Sequence, residues 1–135
     1  MSYALITEDV IDEAAVQAAV LSDTAGAVVM FHGIIRNHDG GKPVNSLDYS
    51  HHPEAQKFLE NIIAEEEART GLRLAAVHRV GPLTIGDAAL IAASAASHRK
   101  EAFDAIENLV ERIKAEVPIW KRQHFASGSS EWVGL

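Results

Sequence analysis

Apolar residues recur along this chain in two rhythms. Ala27-Val28-Val29-Met30-Phe31-His32-Gly33-Ile34-Ile35-Arg36 is an almost unbroken run of strand formers, and its continuous apolar character predicts a strand covered on both faces. Residues 3–7, 44–50, 74–80 and 88–96 read as further strands, the last two joined through Gly81-Pro82-Leu83-Thr84-Ile85-Gly86-Asp87. Helical spacing replaces the strand pattern elsewhere. Asp12 caps a brief Ala/Val-rich helix reaching about Val20. Pro53 suits a first helical turn and Gly71 a stop, which predicts a helix over 53–70. Its inner stripe is Phe58, Ile62 and Ile63, with Glu60, Glu65, Glu66 and Glu67 mostly solvated. Phe103, Ile106, Val110, Ile113 and Val117 recur at alternating three- and four-residue steps, predicting a longer helix capped by Ser97 and ended by Pro118. Residues 37–43 have turn chemistry and read as a mobile loop, while 119–126 and 131–133 read as terminal strands around Ser127-Gly128-Ser129-Ser130.

The helix before 74–80 and the helix after 88–96 frame two neighbouring strands. That is the β-α-β-β-α-β order of a ferredoxin-like split unit, so the fold class expected is α+β, with a mixed or antiparallel sheet and additional strands. No repeat, low-complexity segment or linker divides residues 1–135, whose length suits one domain.

Composition narrows the function classes. The sequence has no cysteine, which removes disulfides, thiolate zinc sites, iron–sulfur ligation and cysteine nucleophiles, and fits a cytoplasmic setting. Its apolar runs are far shorter than the roughly 20 residues of a membrane helix. The N-terminus reaches Glu8 and Asp9 without the basic-then-apolar order of a secretory signal. Against 19 acidic residues stand 12 Lys plus Arg, a net charge of -7 with no basic stripe, so neither a membrane nor nucleic acid is an expected partner.

Against that acidic background, three cationic segments stand at the ends of apolar stretches: Gly33-Ile34-Ile35-Arg36, Ser97-His98-Arg99-Lys100 and Pro118-Ile119-Trp120-Lys121-Arg122. They point to an anionic ligand; alternatively each cation is a solvated head on a buried stem, or pairs with a carboxylate. His98 and Arg99 sit where a strand turns into a helix, where unpaired N–H groups favour phosphate, although simple capping by Ser97 explains the position equally well. Lys114 and Lys121 lie on either side of Pro118. They either complement a helix C-terminus or form a pair whose repulsion and partial burial depress a pKa, giving an acid–base group or a cradle for developing negative charge. Arg36 ends an apolar strand and can project toward a phosphate or carboxylate. The seven histidines show no metal-binding spacing, Gly40-Gly41 lacks the context of a phosphate loop, and no nucleophile elbow occurs, so no metal is expected.

Taken in order, Gly26-Ala27-Val28-Val29-Met30-Phe31-His32-Gly33 with Arg36-Asn37-His38, His78-Arg79-Val80-Gly81, Ser97-His98-Arg99 with Phe103, Pro118-Ile119-Trp120-Lys121-Arg122 and the Trp132-Val133 ending closely resemble the large, catalytic subunit of molybdopterin synthase, over about four fifths of the chain. The resemblance implies a sulfurtransferase that converts cyclic pyranopterin monophosphate to molybdopterin by adding the two dithiolene sulfurs. It implies a homodimer carrying a small ubiquitin-like sulfur-carrier subunit at each outer end, a heterotetramer overall, with the carrier's C-terminal Gly-Gly thiocarboxylate entering the active site and no bound cofactor. It places Lys114 and Lys121 as catalytic residues, Phe31, Arg36, His98 and Arg99 in the substrate pocket, and Ile34, Ile35, Arg122 and Gln123 as flanking contacts. A chain without a thiol performs such chemistry only when a partner delivers the sulfur. Two departures accompany the resemblance: Gln123 stands where many relatives carry an acid, and the sequence reaches Leu135 where longer members continue with basic residues. A reading from another class is a noncatalytic ferredoxin-like module that senses an anionic metabolite through the same cations.

His98 and Lys114 are 16 residues apart on one expected helix. At ~1.5 Å per residue their backbones stand about 24 Å apart, too far to close around one small pterin. A site using both is therefore shared, with Lys114, Lys121 and Arg36 from one protomer and His98 and Arg99 from its twin.

Overall fold

The structure, a computed structural model, describes residues 3–134, and Leu135 with the tail expectation lies outside them. The chain runs β1 (Tyr3–Thr7), α1 (Glu13–Val20), β2 (Ala27–Ile34), β3 (His38–Asp39), β4 (Lys42–His51), α2 (Ala55–Thr70), β5 (Arg73–Arg79), β6 (Gly81–Thr84), β7 (Ala88–Ala96), α3 (Arg99–Glu116), β8 (Ile119–Phe125) and β9 (Ser130–Gly134).

Strand alternation decides the layers. On β5 and β7, Leu74, Ala76, Leu90 and Ala92 face a core shared with α2 and α3. Their neighbours Ala75, Val77, Ile91 and Ala93 face α1 on the other side. Both faces are covered, so the two strands read as continuous apolar runs rather than as alternating ones. β2 sends Val29 and Phe31 to the first core and Val28 and Met30 to the second, as its apolar run predicts. It stays partly exposed because it is the sheet's edge. A register irregularity at Gly33/Ile34 ends the strand short of Arg36 and releases that residue from the ladder.

The fold is α+β with one mixed and one antiparallel arrangement of strands. The first sheet has the order β1-β5-β7-β2, with β1 parallel to β5 and the remaining pairs antiparallel. α2 and α3 do frame the neighbours β5 and β7, but β4 and β8, the outer strands of the expected split unit, do not join that sheet. Its edges are already occupied: β1 pairs along β5 from Tyr3↔Ala75 to Thr7↔Arg79, and β2 pairs along β7. β4 and β8 instead pair with one another in a second sheet of order β3-β4-β8-β9, with β6 added alongside β4.

Local departures have local causes. Residues 37–43 are not an open loop but the β3–β4 hairpin, turned at Gly40 (φ 56°) and Gly41 (φ 80°), the successive left-handed pair that a two-residue turn matching strand twist requires. Asp12 caps α1 as expected, its Oδ1 accepting from the Ala15 N–H at 3.1 Å. α2 begins at Ala55, two residues after Pro53, and stops at Gly71, whose φ of 72° lets its N–H reach the Glu67 carbonyl. Its inner stripe is Leu59, Ile62 and Ile63, while Phe58 is 46% exposed. On α3 the expected Ile106, Val110 and Ile113 are buried, but Leu109 is the inward residue and Phe103 is 56% exposed. The N-cap position is His98, without a side-chain cap bond; the Ser97 hydroxyl donates to the Thr24 carbonyl instead.

Glu66 is also not solvated. It is buried between α2 and α3, where Arg69 Nη2 reaches it at 2.7 Å and Arg112 Nη1 at 3.3 Å. Arg112 simultaneously pairs with Glu65 and Glu116. Its guanidinium fork thus clamps the two helices and fixes the C-terminal end of α3, from which Lys114 projects.

Candidate active site

The two sheets meet along a seam, and the seam opens into a cavity of about 280 Å³. On β8, Lys121 and Gln123 share one face by strand alternation and both line it. Tyr49, the register partner of Lys121 on β4, lines it from the same sheet. The first sheet supplies His78 from β5 and Arg36 from just beyond β2, and the last turn of α3 supplies Lys114. A second cavity, about 330 Å³ beside Trp120 and Trp132, has no charged side chain in its wall, and the cationic one is the candidate site. Among the described residues no group of three His, Asp or Glu converges as a metal site would require.

Arg36, Lys114 and Lys121 bring three positive charges to this cavity. Burial holds the Lys121 ammonium below the ordinary lysine range, with Lys114 and Arg36 pushing the same way and Asp39 opposing them. Asp39 reaches the seam from the hairpin. Its Oδ2 accepts a 2.7 Å hydrogen bond from Gln123 Nε2, and its Oδ1 lies 3.5 Å from Arg36 Nη2. The bond from Gln123 lowers the Asp39 carboxyl first of all, and Lys121, Arg36 and His38 lower it further. A neutral amide at position 123 therefore holds a carboxylate beside the lysines without contributing a charge.

His78 continues the face of Leu74 and Ala76 on β5, but at the strand's end that face meets the cavity instead of the helices. The side chain is 3% exposed. Its Nδ1 stands 2.8 Å from the Arg79 carbonyl oxygen; a carbonyl only accepts, so Nδ1 carries the proton and Nε2 the lone pair. The Tyr49 ring meets the imidazole edge-on, with centroids 5.1 Å apart. Burial pulls the imidazole down from 6.5 to about 4, with the Lys114 charge adding to it and the Arg79 bond opposing. Burial pushes the Tyr49 phenol up to about 12. The folded protein thus keeps His78 neutral where the unfolded chain protonates it. Between 6.5 and about 4 the unfolded chain binds more protons, so this contribution to stability is complete above the upper value and is lost as pH falls toward the lower one. Denaturant titrations should find wild type losing about 2 kcal/mol more than His78→Phe between about pH 7 and about pH 5. Equal losses in the two proteins would show that His78 is not held neutral.

The cavity brings together Ile34, Ile35, Arg36, Lys114, Lys121 and Gln123 of the residues singled out from sequence. It does not bring in the other four. Phe31 packs on the core beneath α2 and α3. His98 and Arg99 are exposed at the far end of α3, an 18-residue helix. Arg122 lies on the opposite face of β8, donating to the Ser130 hydroxyl from Nε and Nη2 and stacking its guanidinium 5.7 Å above the Trp132 ring. Tyr49 and His78 were missed as site residues, although a period of two along β5 puts a polar imidazole on the face of Leu74 and Ala76, which is the signal that marks it.

The fold and cavity define a class: a small α+β protein with a lysine pair and an arginine lining a cavity at the junction of two sheets. The chain belongs to the MoaE protein family, whose profile matches residues 6–116. It is 41% identical over 134 residues to molybdopterin synthase catalytic subunit 1 of Mycobacterium tuberculosis, covering 98% of this chain and 90% of that protein. It is 42% identical over 112 residues to the molybdopterin synthase catalytic subunit of Bacillus subtilis, covering 82% and 71%. The fold matches the crystal structure of molybdopterin synthase from Staphylococcus aureus with a TM-score of 0.89 at 35% identity, covering 98% of this chain and 97% of that one.

Proposed function

We propose that this chain is the catalytic subunit of a molybdopterin synthase, a cytoplasmic sulfurtransferase that moves sulfur from a thiocarboxylated small carrier subunit onto cyclic pyranopterin monophosphate. The single observation that carries the reading is the convergence of Arg36, Lys114 and Lys121 on one cavity in a chain without a thiol. Arg36 offers a guanidinium fork to the substrate phosphate. Lys121, half-buried and with its ammonium destabilised, exchanges a proton more readily than an ordinary lysine, and Lys114 supplies fixed positive charge for the anion that develops as sulfur is transferred. No metal or bound cofactor enters the scheme, because the carrier's C-terminal Gly-Gly thiocarboxylate provides the sulfur. The functional unit is a homodimer with one carrier at each outer end, and His98 and Arg99 reach the partner's cavity across the two-fold axis.

The test is product formation. The isolated chain is expected to be inactive with the pterin and free sulfide, and active once the thiocarboxylated carrier is added. Dithiolene product formed from free sulfide as fast as from the complex would overturn the division of labour.

A further inference from the structure

We propose that His78 reads the substrate: its Nε2 accepts a hydrogen bond from an N–H of the bound pterin ring. The inference rests on the synthase reading above and adds to it the recognition of the heterocycle. Arg36, Lys114 and Lys121 are donors only, suited to a phosphate or to developing negative charge. A pterin also carries donors of its own, the amino group and ring N–H groups, which the three cations cannot pair; the cavity's side-chain acceptors are the Gln123 amide oxygen and the Tyr49 hydroxyl, both on the second sheet, and His78 Nε2 on the first.

His78 meets that need in three ways. Its tautomer is fixed, because Nδ1 gives its hydrogen to the Arg79 carbonyl at 2.8 Å and leaves the lone pair on Nε2. Its ring is fixed, because Tyr49 abuts it edge-on at 5.1 Å. Its lone pair is open. Nε2 has no hydrogen-bond partner among the described residues, yet no sealed side-chain nitrogen or oxygen among them lacks one, so Nε2 opens to the cavity that His78 lines. The charged or titratable groups facing the ring are Lys114 from α3 and Tyr49 from β4; β1 and β7 present Ile6 and Leu90 as its register partners. The imidazole remains neutral down to about 4, so the acceptor persists across the physiological range. No hydrogen bond joins His78 to Lys114, which separates this role from simple orientation of the lysine.

The experiment uses the complex with its thiocarboxylated carrier and compares wild type, His78→Phe, His78→Gln and Arg36→Ala. His78→Phe keeps a ring against Tyr49 and removes the acceptor. It should raise KM for the pterin about 10-fold with kcat within about twofold of wild type, the scale of one lost hydrogen bond. Inhibition by inorganic phosphate, a probe of the cations alone, should be unchanged in His78→Phe and weakened in Arg36→Ala. His78→Gln, which restores an acceptor, should recover part of the loss in KM. Independently of turnover or of how the variants fold, wild-type protein labelled with ¹⁵N-histidine should show the His78 Nε2 resonance moving on addition of the pterin and not on addition of phosphate. An unmoved Nε2 resonance at saturating pterin, an unchanged KM in folded His78→Phe, or a fall confined to kcat would overturn the assignment. Failure of the synthase reading is distinguishable, since wild type itself would then yield no product.

Discussion

Replacing Lys121 with alanine is expected to lower turnover by about 10²-fold or more while the protein stays folded, the scale on which loss of a positioned proton-transfer group registers. The side chain is half-buried at the sheet seam, and burial together with Lys114 and Arg36 depresses its ammonium. Removing it also relieves the crowding of positive charge, so the fold has no reason to suffer. Lys114→Ala should fall by a similar factor, since that lysine lines the same cavity and adds its charge there. Lys57→Ala, an exposed change on α2, is the control. Single-turnover assays with the loaded carrier separate chemistry from release. Near-normal rates in both cavity variants, with the control equally active, would remove the lysines from the mechanism.

Mixing two inactive proteins should restore activity. Lys121→Ala carries its lesion at the cavity, and Arg99→Ala carries its lesion at the opposite end of an 18-residue helix, where the arginine is exposed. If Arg99 serves the cavity of a two-fold partner, a mixed dimer has one site with both lesions and one with neither. Turnover should then return to as much as about half of wild type under conditions of proven subunit exchange. No recovery would place the working site within a single protomer. The two proteins alone give the baseline, and separately tagged copies report the exchange.

β5 and β7 of the first sheet were legible because both of their faces are covered, which leaves continuous apolar runs bounded by turn residues. The stops were legible too, since Gly71 and Pro118 end helices for reasons of backbone chemistry. The stripes were less so. Phe58 and Phe103 stand at helical spacing yet are exposed, because Leu59 and Leu109, one stripe over, are the residues that reach the core. Periodicity finds an apolar face but does not say which of two adjacent stripes a neighbouring layer will cover. Glu66 shows a second limit, since beside the local Arg69 its other partner, Arg112, is 46 residues away and no local pattern announces that pair. At the site, Lys114, Lys121 and Arg36 stood out as cations at segment ends. His78 and Tyr49 did not, because alternation puts the imidazole on the core face of β5, and a phenol in the largely polar β4 carries no mark of a site until the position of the second sheet is known.

That second sheet gives the cavity a property beyond its chemistry. Arg36, His78 and Lys114 belong to the first sheet and its helix, whereas Tyr49, Lys121 and Gln123 belong to the other. Neither half holds a complete set. A chain with both sheets formed but not yet docked would keep its far-ultraviolet circular dichroism and have no site at all. Activity in this protein is thus a coincidence detector for the docking of its two sheets, and damage along the seam should silence the enzyme while its secondary structure still looks intact.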